Sequence, residues 1–352
     1  MKVDTAGVGF SKTACYKWAG GILITIVLAG IPLVIEKPFA THVLIMILMY
    51  ASLGQSWNII SGYAGQVSLG HAVFFGAGAY TSSVLLIKLG ITPWAGMIGG
   101  ILVSLIIAVV IGAICFKLKG HYFVIATLVI AEIVLIVVSN MQFLGGAAGI
   151  WIPVLPASIL NLEFHASKVP YYYIFLLFTA LTFALTWWLE RSRTGYYFQA
   201  IKADPDAAQA LAINIARYKM IALAISSALA AIQGTLYAQY VLIVDPYSVL
   251  VLKMSLMMAL VTVLGGAGTL WGPLVGSAIL IPISEYSRSW LSGGGKALDL
   301  MIYGALIIAF AVYQPNGIMG LWDRFRRGKK PAVNRCRSEE LKVVNGHNTA
   351  GK

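Results

Sequence analysis

The sequence predicts an all-α polytopic membrane protein with about ten transmembrane helices, which include broken helices and form two pseudo-repeated halves. Of its 352 residues, 59% are hydrophobic and 11% are charged, a balance typical of polytopic membrane proteins and outside the range of soluble domains. The apolar runs lack the alternation of barrel strands, and a helix satisfies its own backbone hydrogen bonds in lipid. Glycine-rich interruptions stand at roughly corresponding places in the two halves, which indicates a duplicated fold.

Ten apolar runs approach the length of about 20 residues that a helix needs to cross the hydrocarbon core. A segment with several lysines (1–19) precedes the first run, which we interpret as an uncleaved span, and the transmembrane domain occupies 20–322. Residues 323–352 form a basic tail with too little apolar content to fold, so we expect disorder there and contact with anionic lipid. The runs lie at 20–35, 39–60, 67–87, 93–116, 122–140, 170–189, 220–244, 249–264, 272–290 and 298–313.

The basic residues determine the predicted orientation. The formal net charge is +12, but the Lys and Arg residues stand in loops beside apolar runs, which indicates membrane topology and no nucleic-acid partner. A cytoplasmic N-terminus places most of them on the inner side, in segments that include 191–219 and the tail. We therefore expect a multi-pass protein of the bacterial inner membrane with both termini in the cytoplasm and a long outer loop at 141–169.

Residues 191–219 form a polar island in this apolar chain, and we call them the inner segment. Gly195 is predicted to break the preceding run, while Asp204, Pro205 and Asp206 suit the N-cap, the first position and the N-terminal dipole of a helix. Such a helix is expected to lie at the membrane surface and meet a soluble partner, unless the segment is an ordinary loop between distant spans. Its apolar side would comprise Ala207, Ala208, Ala210, Leu211 and Ile215.

Two glycine-rich stretches interrupt the apolar runs, the first glycine cluster at 62–71 and the second at 265–273. Broken helix ends at such places line a transport pathway, although small residues also serve close helix packing, and the two interpretations are compatible. Hydrogen-bonding side chains crowd around the first cluster, and at membrane depth they must face protein or water. The predicted pathway residues here are Asn58, Gln66, Ser68, His71 and Tyr80, with Thr81 beside them.

Titratable side chains inside the apolar runs are further candidates. Glu132 lies in the middle of its run, where an ionisable residue indicates a function, so it joins the predicted pathway, either protonated or paired with another span. We interpret His71 as a packing residue, with ligand binding or proton transfer as the alternative. Glu285 and Arg288 are three residues apart and are predicted to pair on one helix face.

The sequence offers no catalytic or metal-binding constellation. It contains no G-x-S-x-G, H-E-x-x-H or P-loop motif. The three cysteines, Cys15, Cys115 and Cys336, lack CxxC spacing and support neither a disulfide nor a zinc site. We expect no catalytic residue, no metal and no cofactor on this chain, so any ATP and magnesium would be bound by other subunits.

Four separated motifs carry a family resemblance. They are S-G-Y-A-G-Q-V-S-L-G-H-A-V-F-F-G-A-G-A-Y at 61–80, Y-F-V-I-A-T-L-V-I-A-E at 122–132, the turn at 265–273 and Q-P-N-G-I-M-G-L at 314–321. In this order they resemble the LivM-type permease subunits of branched-chain amino acid ABC importers, over nearly the whole membrane portion. The resemblance implies a transmembrane permease, not an enzyme, that moves leucine, isoleucine and valine or related amino acids into the cytoplasm.

The resemblance also implies partners: a LivH-like second permease subunit, two ATP-binding subunits and a periplasmic amino-acid-binding protein. It makes the inner segment the coupling segment that docks into a groove of the ATP-binding subunit, whose closure drives the permease between inward and outward states. Ala212 stands where the family more often has glycine, and Leu144 where threonine is common. The matching residues are Gly195, Ala200, Ile201, Asp204, Ala207, Ala208 and Ile213, and Arg193 and Asp206 complete the predicted coupling set.

Two interpretations of the basic residues in the inner segment stay open. Arg191, Arg193, Lys202 and Arg217 either contact an acidic surface of the partner or only mark the cytoplasmic side. Other functions are also open: an ABC permease for urea or short amides, or a proton-coupled secondary transporter of small polar solutes that uses Glu132 or His71. A membrane-embedded enzyme is disfavoured because the sequence has no pair of nucleophile and base.

Overall fold

The computed structural model of the chain describes residues 28–32, 37–118, 120–164, 167–290 and 317–319, and these are mainly helical. Proline starts several helices, because its fixed φ suits the first turn and its missing N–H would be unpaired there anyway. The helices are α1 (Pro38–Asn58), α2 (Ala72–Leu89), α3 (Pro93–Cys115), α4 (His121–Asn140), α5 (Val169–Arg191), α6 (Arg193–Ala203), α7 (Pro205–Ala210), α8 (Ile215–Val241), α9 (Pro246–Val249), α10 (Leu252–Gly265) and α11 (Gly272–Trp290).

Seven helical segments in the described part of the chain are long and apolar enough to cross a membrane, which confirms the all-α polytopic class. The number of about ten is not confirmed. The predicted run 298–313 and most of 20–35 lie outside the described residues. The predicted run 272–290 does form a helix, α11, but this helix is not among the seven candidate spans. The seven are Pro38–Tyr63, Ala72–Leu89, Pro93–Cys115, His121–Asn140, Val169–Arg191, Ile215–Val241 and Pro246–Gly265.

The helix α1 is at the centre of the bundle and α4 is at its edge. Helix α1 packs against α5, α8, α10 and α11. In its most apolar stretch 83% of the residues are buried, compared with 22% in the corresponding stretch of α4. Trp57 of α1 and Tyr172 and Phe175 of α5 are among the fully buried side chains of the core. The centre of the fold is therefore the helix that leads into the first glycine cluster.

Close packing through glycine joins α2, α3 and α8. A Cβ at Gly78 of α2 would overlap the backbone of Ala231 in α8, and a Cβ at Gly100 of α3 would lie 3.0 Å from the Gly78 Cα. Small residues allow membrane helices to approach each other in this way. The three helices form a tight unit, and the first glycine cluster lies immediately before α2.

The first glycine cluster interrupts the helical structure. After Asn58 the chain makes a π-helical turn (Ile59–Tyr63), and Gly65 then adopts a φ of +73°, which suits a residue without a Cβ. The predicted run 67–87 is therefore wrong at its start, because the chain is not helical at 65–70 and α2 begins at Ala72. The interruption leaves backbone groups that side chains of other helices can bind.

The two ends of the bundle differ. The inner segment joins the end of α5 to the start of α8, and we call that end of the bundle the inner end and the opposite one the outer end. At the outer end the loop 141–169 holds two short 3-10 turns and the strand β1 (Ile150–Trp151) among its described residues. This strand pairs antiparallel with β2 (Ile243–Val244), which attaches the loop to the connection after α8.

The inner segment consists of two short helices and the start of a third. Asp204 caps α7 as predicted, since its side chain accepts hydrogen bonds from the backbone N–H groups of Asp206 at 2.9 Å and Ala207 at 3.1 Å. The prediction for Gly195 is wrong: it lies inside α6, and the break falls at Ser192, whose hydroxyl caps that helix.

The predicted apolar side of a single helix from Ala207 to Ile215 is also wrong. The helix α7 ends at Ala210, and Ala212 adopts a φ of +59°, a left-handed conformation that ends the helix. Ile215 belongs to α8, whose N-cap is Asn214. The left-handed backbone explains why glycine suits this position and why Ala212 is a departure with a physical cost.

Candidate functional site

Asn58 joins the two glycine clusters. Its buried side chain donates a hydrogen bond from Nδ2 to the Thr269 carbonyl at 2.9 Å, and its Oδ1 accepts one from the Gly268 N–H at 2.7 Å. A Cβ at Gly62 would overlap the Asn58 side chain and lie 2.6 Å from the Gly268 nitrogen, so the contact requires glycine there. The two glycine-rich interruptions therefore meet, and the Asn58 side chain satisfies two backbone groups of the second one.

A lysine of the inner segment also contacts this junction. The Lys202 ammonium on α6 donates a hydrogen bond to the Gly62 carbonyl at 2.6 Å, and the lysine stem lies against Gly65. A cleft of about 540 Å³ opens beside it, lined by Gly62, Tyr63, Glu190, Gln199, Lys202, Ala203 and Gly268. Charge-assisted bonds of this kind are stronger than neutral ones. The sequence interpretation named Lys202 only as a possible partner contact or topology marker and missed its contact within the chain.

His71 lies in a buried hydroxyl cluster at the start of α2. Its Nε2 is 2.6 Å from the Ser226 hydroxyl, which donates to the Ser56 carbonyl at 2.7 Å, while the Ser56 hydroxyl donates to the Ser226 carbonyl at 2.8 Å. Ser226 has one hydroxyl proton, so Nε2 must be the donor in the His71 contact. This arrangement holds α1, α2 and α8 together, as a packing histidine does.

A second polar layer lies deeper in the bundle and was missed by the sequence interpretation. The Ser52 hydroxyl is 3.0 Å from the Thr182 hydroxyl and accepts a hydrogen bond from Gln233 Nε2 at 2.8 Å. All three side chains are buried and belong to α1, α5 and α8. Because buried polar groups are costly at membrane depth, their presence in apolar runs is the signal that would have identified them.

The other predicted pathway residues do not form one site. Ser68 is buried beside the hydroxyl cluster, where its carbonyl accepts a hydrogen bond from Trp57 Nε1 at 2.7 Å. Gln66 is only half-buried, and its side chain contacts the neighbouring Gly65 carbonyl at 3.4 Å. Tyr80 lines a separate apolar cavity of about 300 Å³ between α2, α3 and α4. Asn58, Ser68 and His71 therefore belong to the inner end, as does the half-buried Gln66 next to Gly65, whereas Tyr80 lies apart from them.

Glu132 is separated from all of these groups. It lies in the middle of α4 with its side chain partly exposed, and it has no hydrogen-bond or ion-pair partner among the residues that the structure describes. The predicted pair in α11 is confirmed, since the guanidinium of Arg288 lies 3.5 Å from the Glu285 carboxylate.

A larger cavity of about 770 Å³ opens at the outer end. The exposed Lys168 lines it together with Glu163, which is buried and accepts a hydrogen bond from the Leu155 N–H at 2.9 Å. His42 and Tyr240, whose Nδ1 and hydroxyl are 2.7 Å apart, form another part of its wall. Part of its wall comes from the predicted loop 141–169. The exposed ammonium of Lys168 suits a small solute that carries a carboxylate group.

The predicted coupling residues differ in exposure. Ala208 is 3% exposed and faces its own chain, while Ala207 and Ala210 are exposed and Leu211 is 76% exposed. Arg193 is exposed as well, Ala200 is half-buried and Gly195 is buried against the end of α5. A partner that docks on α7 would therefore meet Ala207, Ala210 and Leu211.

A helical bundle with interrupted helices, a buried polar interior and an inner segment attached to the interruptions defines a polytopic membrane transport protein. The chain belongs to the family of permease components of branched-chain amino acid transport systems, whose sequence profile matches residues 39–311. This confirms the LivM-type resemblance. No solved structure matches the chain.

Similar proteins include both kinds of permease from one transport system. The chain is 28% identical over 298 residues to the high-affinity branched-chain amino acid transport system permease protein LivM of Salmonella typhimurium, which covers 78% of this chain and 68% of LivM. It is 26% identical over 289 residues to LivH of the same organism, which covers 77% of this chain and 91% of LivH. The autoinducer 2 import system permease protein LsrC of an Enterobacter species is 31% identical over 194 residues, 51% of this chain and 54% of LsrC.

These relatives and the seven spans make the chain a multi-pass permease component of the inner membrane, not an enzyme. Similarity to both LivM and LivH indicates that such importers contain a pair of related permease chains.

Proposed function

We propose that the chain is the permease subunit of an ATP-driven importer that carries branched-chain amino acids into the cytoplasm. The observation that supports this most is the hydrogen bond between Lys202 and the Gly62 carbonyl, beside the bond between Asn58 and Gly268. A displacement of the inner segment would act on both glycine clusters without an intermediate element. Transport driven by a soluble partner needs such a connection.

Two ATP-binding subunits would supply the displacement. ATP and magnesium are bound on those subunits, and their closure moves the inner segments that they hold. The exposed side of α7, with Ala207, Ala210 and Leu211, is the surface we assign to docking. With this assignment the inner end faces the cytoplasm, and we place both termini there as well because of the distribution of basic residues in the sequence.

The solute would enter at the outer end, delivered by a periplasmic amino-acid-binding protein. The exposed ammonium of Lys168 at the outer cavity suits the carboxylate group of an amino acid. The polar layer of Ser52, Thr182 and Gln233 lies between this cavity and the buried hydroxyl cluster around His71. Of the pathway residues, Asn58, Gln66, Ser68 and His71 lie at the inner end of this route, while a role for Tyr80 and Glu132 requires a second chain or a different state.

The names of the relatives support branched-chain amino acids as the solutes. LivM and LivH are named for branched-chain amino acid transport, whereas LsrC is named for autoinducer 2 import, so related permeases serve different solutes. Urea and short amides are the alternatives within the same class. Competition for uptake distinguishes an importer of branched-chain amino acids from one of urea or short amides.

The test is uptake of radiolabelled leucine by proteoliposomes that contain the complete importer, with binding protein outside and ATP inside. We expect uptake that requires ATP and every subunit and that is competed by isoleucine and valine but not by urea or acetamide. Competition by urea would show that the importer carries urea or short amides and not only branched-chain amino acids. Uptake by this chain alone under a pH gradient would contradict the proposal and favour a proton-coupled transporter.

A further inference from the structure

We propose that the exposed face of α4 binds the second permease subunit, and that a hydrogen-bond donor of that subunit holds the carboxyl group of Glu132. The proposal rests on the permease pair of the proposed function and names the surface where the pair meets. It concerns a face of α4 that is not covered by the described part of this chain.

The exposed face of α4 is a continuous stripe. Ile125, Val129, Glu132 and Ile136 follow one another at intervals of four, three and four residues, which places them on one side of a helix. Ile125 and Ile136 are each 59% exposed and Val129 is 46% exposed, so the stripe is uncovered along the middle of the span. Glu132 lies midway along this stripe, with its side chain partly exposed.

The chemistry of Glu132 identifies what covers the stripe. Lipid tails offer no hydrogen-bond donor, and an ionisable group at membrane depth is costly unless protein or water satisfies it. The described residues of this chain supply no partner for the Glu132 side chain. A neighbouring protein chain with a hydroxyl, amide or basic side chain at the same depth would satisfy it, whereas lipid would not.

The exposed faces of α3 and α5 differ from the α4 stripe because they carry no ionisable side chain in the middle of the span. The helix α3 exposes Ile98, Leu102 and Ile106 and contains no Asp, Glu, Lys or Arg. The exposed residues Leu177 and Leu181 of α5 are likewise apolar, and the charged residues of that helix stand at its end. Such faces are stable against lipid, so α3 and α5 provide matched controls for α4.

The opposite side of α4 connects the proposed interface to the inner end. Thr127 is buried there, and its hydroxyl accepts a hydrogen bond from the Leu69 N–H of the first glycine cluster at 3.2 Å. A Cβ at the neighbouring Gly70 would lie 2.7 Å from the Thr127 carbonyl. Contact between the two permeases would therefore reach the glycine junction through a single helix.

The first experiment is photo-crosslinking in the complete importer, with p-benzoylphenylalanine placed singly at Val129, Ile136, Ile106 or Leu181. We expect an adduct with the second permease subunit at Val129 and Ile136 and no protein adduct at Ile106 or Leu181. Absence of the α4 adducts in an intact importer, or equal adducts at the control positions, would overturn the proposal.

The second experiment compares Glu132→Gln with Glu132→Leu by co-purification of the two permeases at increasing detergent. Glutamine keeps the hydrogen bond and should retain the pair, while leucine should weaken it about 3- to 20-fold, the range for one interhelical hydrogen bond. Leucine favours membrane insertion, so failed insertion would not explain the loss. A pair that is equally stable with leucine, or a stripe that a water-soluble label reaches at a cysteine placed at Val129, would contradict the proposal. Both assays omit transport, so their failure would leave the importer function standing.

Discussion

The side-chain oxygen of Asn58 accepts a hydrogen bond from the backbone N–H of Gly268 at 2.7 Å, although the two residues are 210 positions apart. The amide group of the same side chain donates to the Thr269 carbonyl at 2.9 Å. An asparagine at the end of α1 thus replaces the helical partners that the second glycine cluster lacks. The two interruptions are one structural unit, and the hydrogen bond of Lys202 to Gly62 attaches the inner segment to it.

The first prediction concerns Asn58→Leu. This change leaves the Gly268 N–H and the Thr269 carbonyl without their partner, and each unsatisfied buried group costs about 1–3 kcal/mol. We expect a clear fall in the thermal midpoint of the detergent-solubilised chain and loss of uptake. Asn140→Leu is the matched control, because Asn140 is exposed and bonds only within its own helix at 2.8 Å. Equal midpoints for the two variants would contradict the proposed junction.

The second prediction concerns Lys202→Met. The variant keeps the length of the side chain and removes the donor to the Gly62 carbonyl, so the inner segment should no longer drive the glycine clusters. We expect ATP hydrolysis by the importer to continue while uptake falls at least tenfold, and Lys202→Arg to restore part of the uptake. The readout is the ratio of solute moved to ATP consumed in proteoliposomes.

Lys88 is the matched control for Lys202. Its ammonium donates to the Phe143 carbonyl at 3.3 Å, the same kind of bond, but at the outer end of α2. Lys88→Met should leave the ratio of transport to hydrolysis unchanged. A normal ratio in Lys202→Met would show that the lysine only stabilises the fold or marks the cytoplasmic side.

Much of the fold could be predicted from sequence because lipid imposes a simple rule. A long apolar run must be a helix, so the spans corresponding to α3 and α4 follow almost directly from hydropathy. Helix ends were predicted where capping chemistry is local, as at Asp204. They were missed where the end depends on backbone conformation, as at Ala212, whose positive φ no side-chain pattern reveals.

The candidate site was predicted less completely, because its contacts are long-range. The sequence marks Asn58 and His71 as polar groups in apolar runs, but their partners Gly268 and Ser226 are far away in the chain and lie on other helices. Lys202 was predicted to lie on the cytoplasmic side, and its contact with Gly62 depends on how the inner segment folds back on the bundle. Polarity at membrane depth predicts that a group matters, and only the packing shows what it contacts.

The third prediction concerns Ala212→Gly. Ala212 has a φ of +59°, a conformation in which a Cβ is strained, and glycine removes that strain at a smaller entropic cost. We expect a gain of about 0.5–1 kcal/mol in stability, seen as a higher thermal midpoint. Ala207→Gly in α7 should do the opposite, because glycine is unfavourable inside a helix. A lower midpoint for Ala212→Gly would contradict the assigned conformation.

The fourth prediction separates a packing role of His71 from proton transfer. Glutamine can donate to the Ser226 hydroxyl as Nε2 does, so His71→Gln should keep uptake within a few-fold and leave its pH dependence unchanged. His71→Leu should lower the thermal midpoint, because the buried Ser226 hydroxyl loses its donor. If the His71→Gln importer folds and hydrolyses ATP but its uptake no longer depends on pH, His71 is instead a titrating group of the transport cycle.

The fifth prediction separates docking from folding on α7. Leu211 is 76% exposed, so Leu211→Arg should leave the thermal midpoint of the permease unchanged and weaken co-purification of the ATP-binding subunits. Ala208 is 3% exposed and was among the predicted coupling residues, but Ala208→Arg should lower the midpoint because an arginine does not fit against the chain there.

Leu160, which is 67% exposed in the outer loop, is the control for the Leu211 variant, and Leu160→Arg should change neither the midpoint nor the co-purification. If Leu211→Arg still retains both ATP-binding subunits, the docking surface is not the exposed side of α7. The next surface to test would then be α6, where Arg193 is exposed. Because Ala208 faces inward, loss of docking in Ala208→Arg alone would report unfolding of α7 and would not locate the partner.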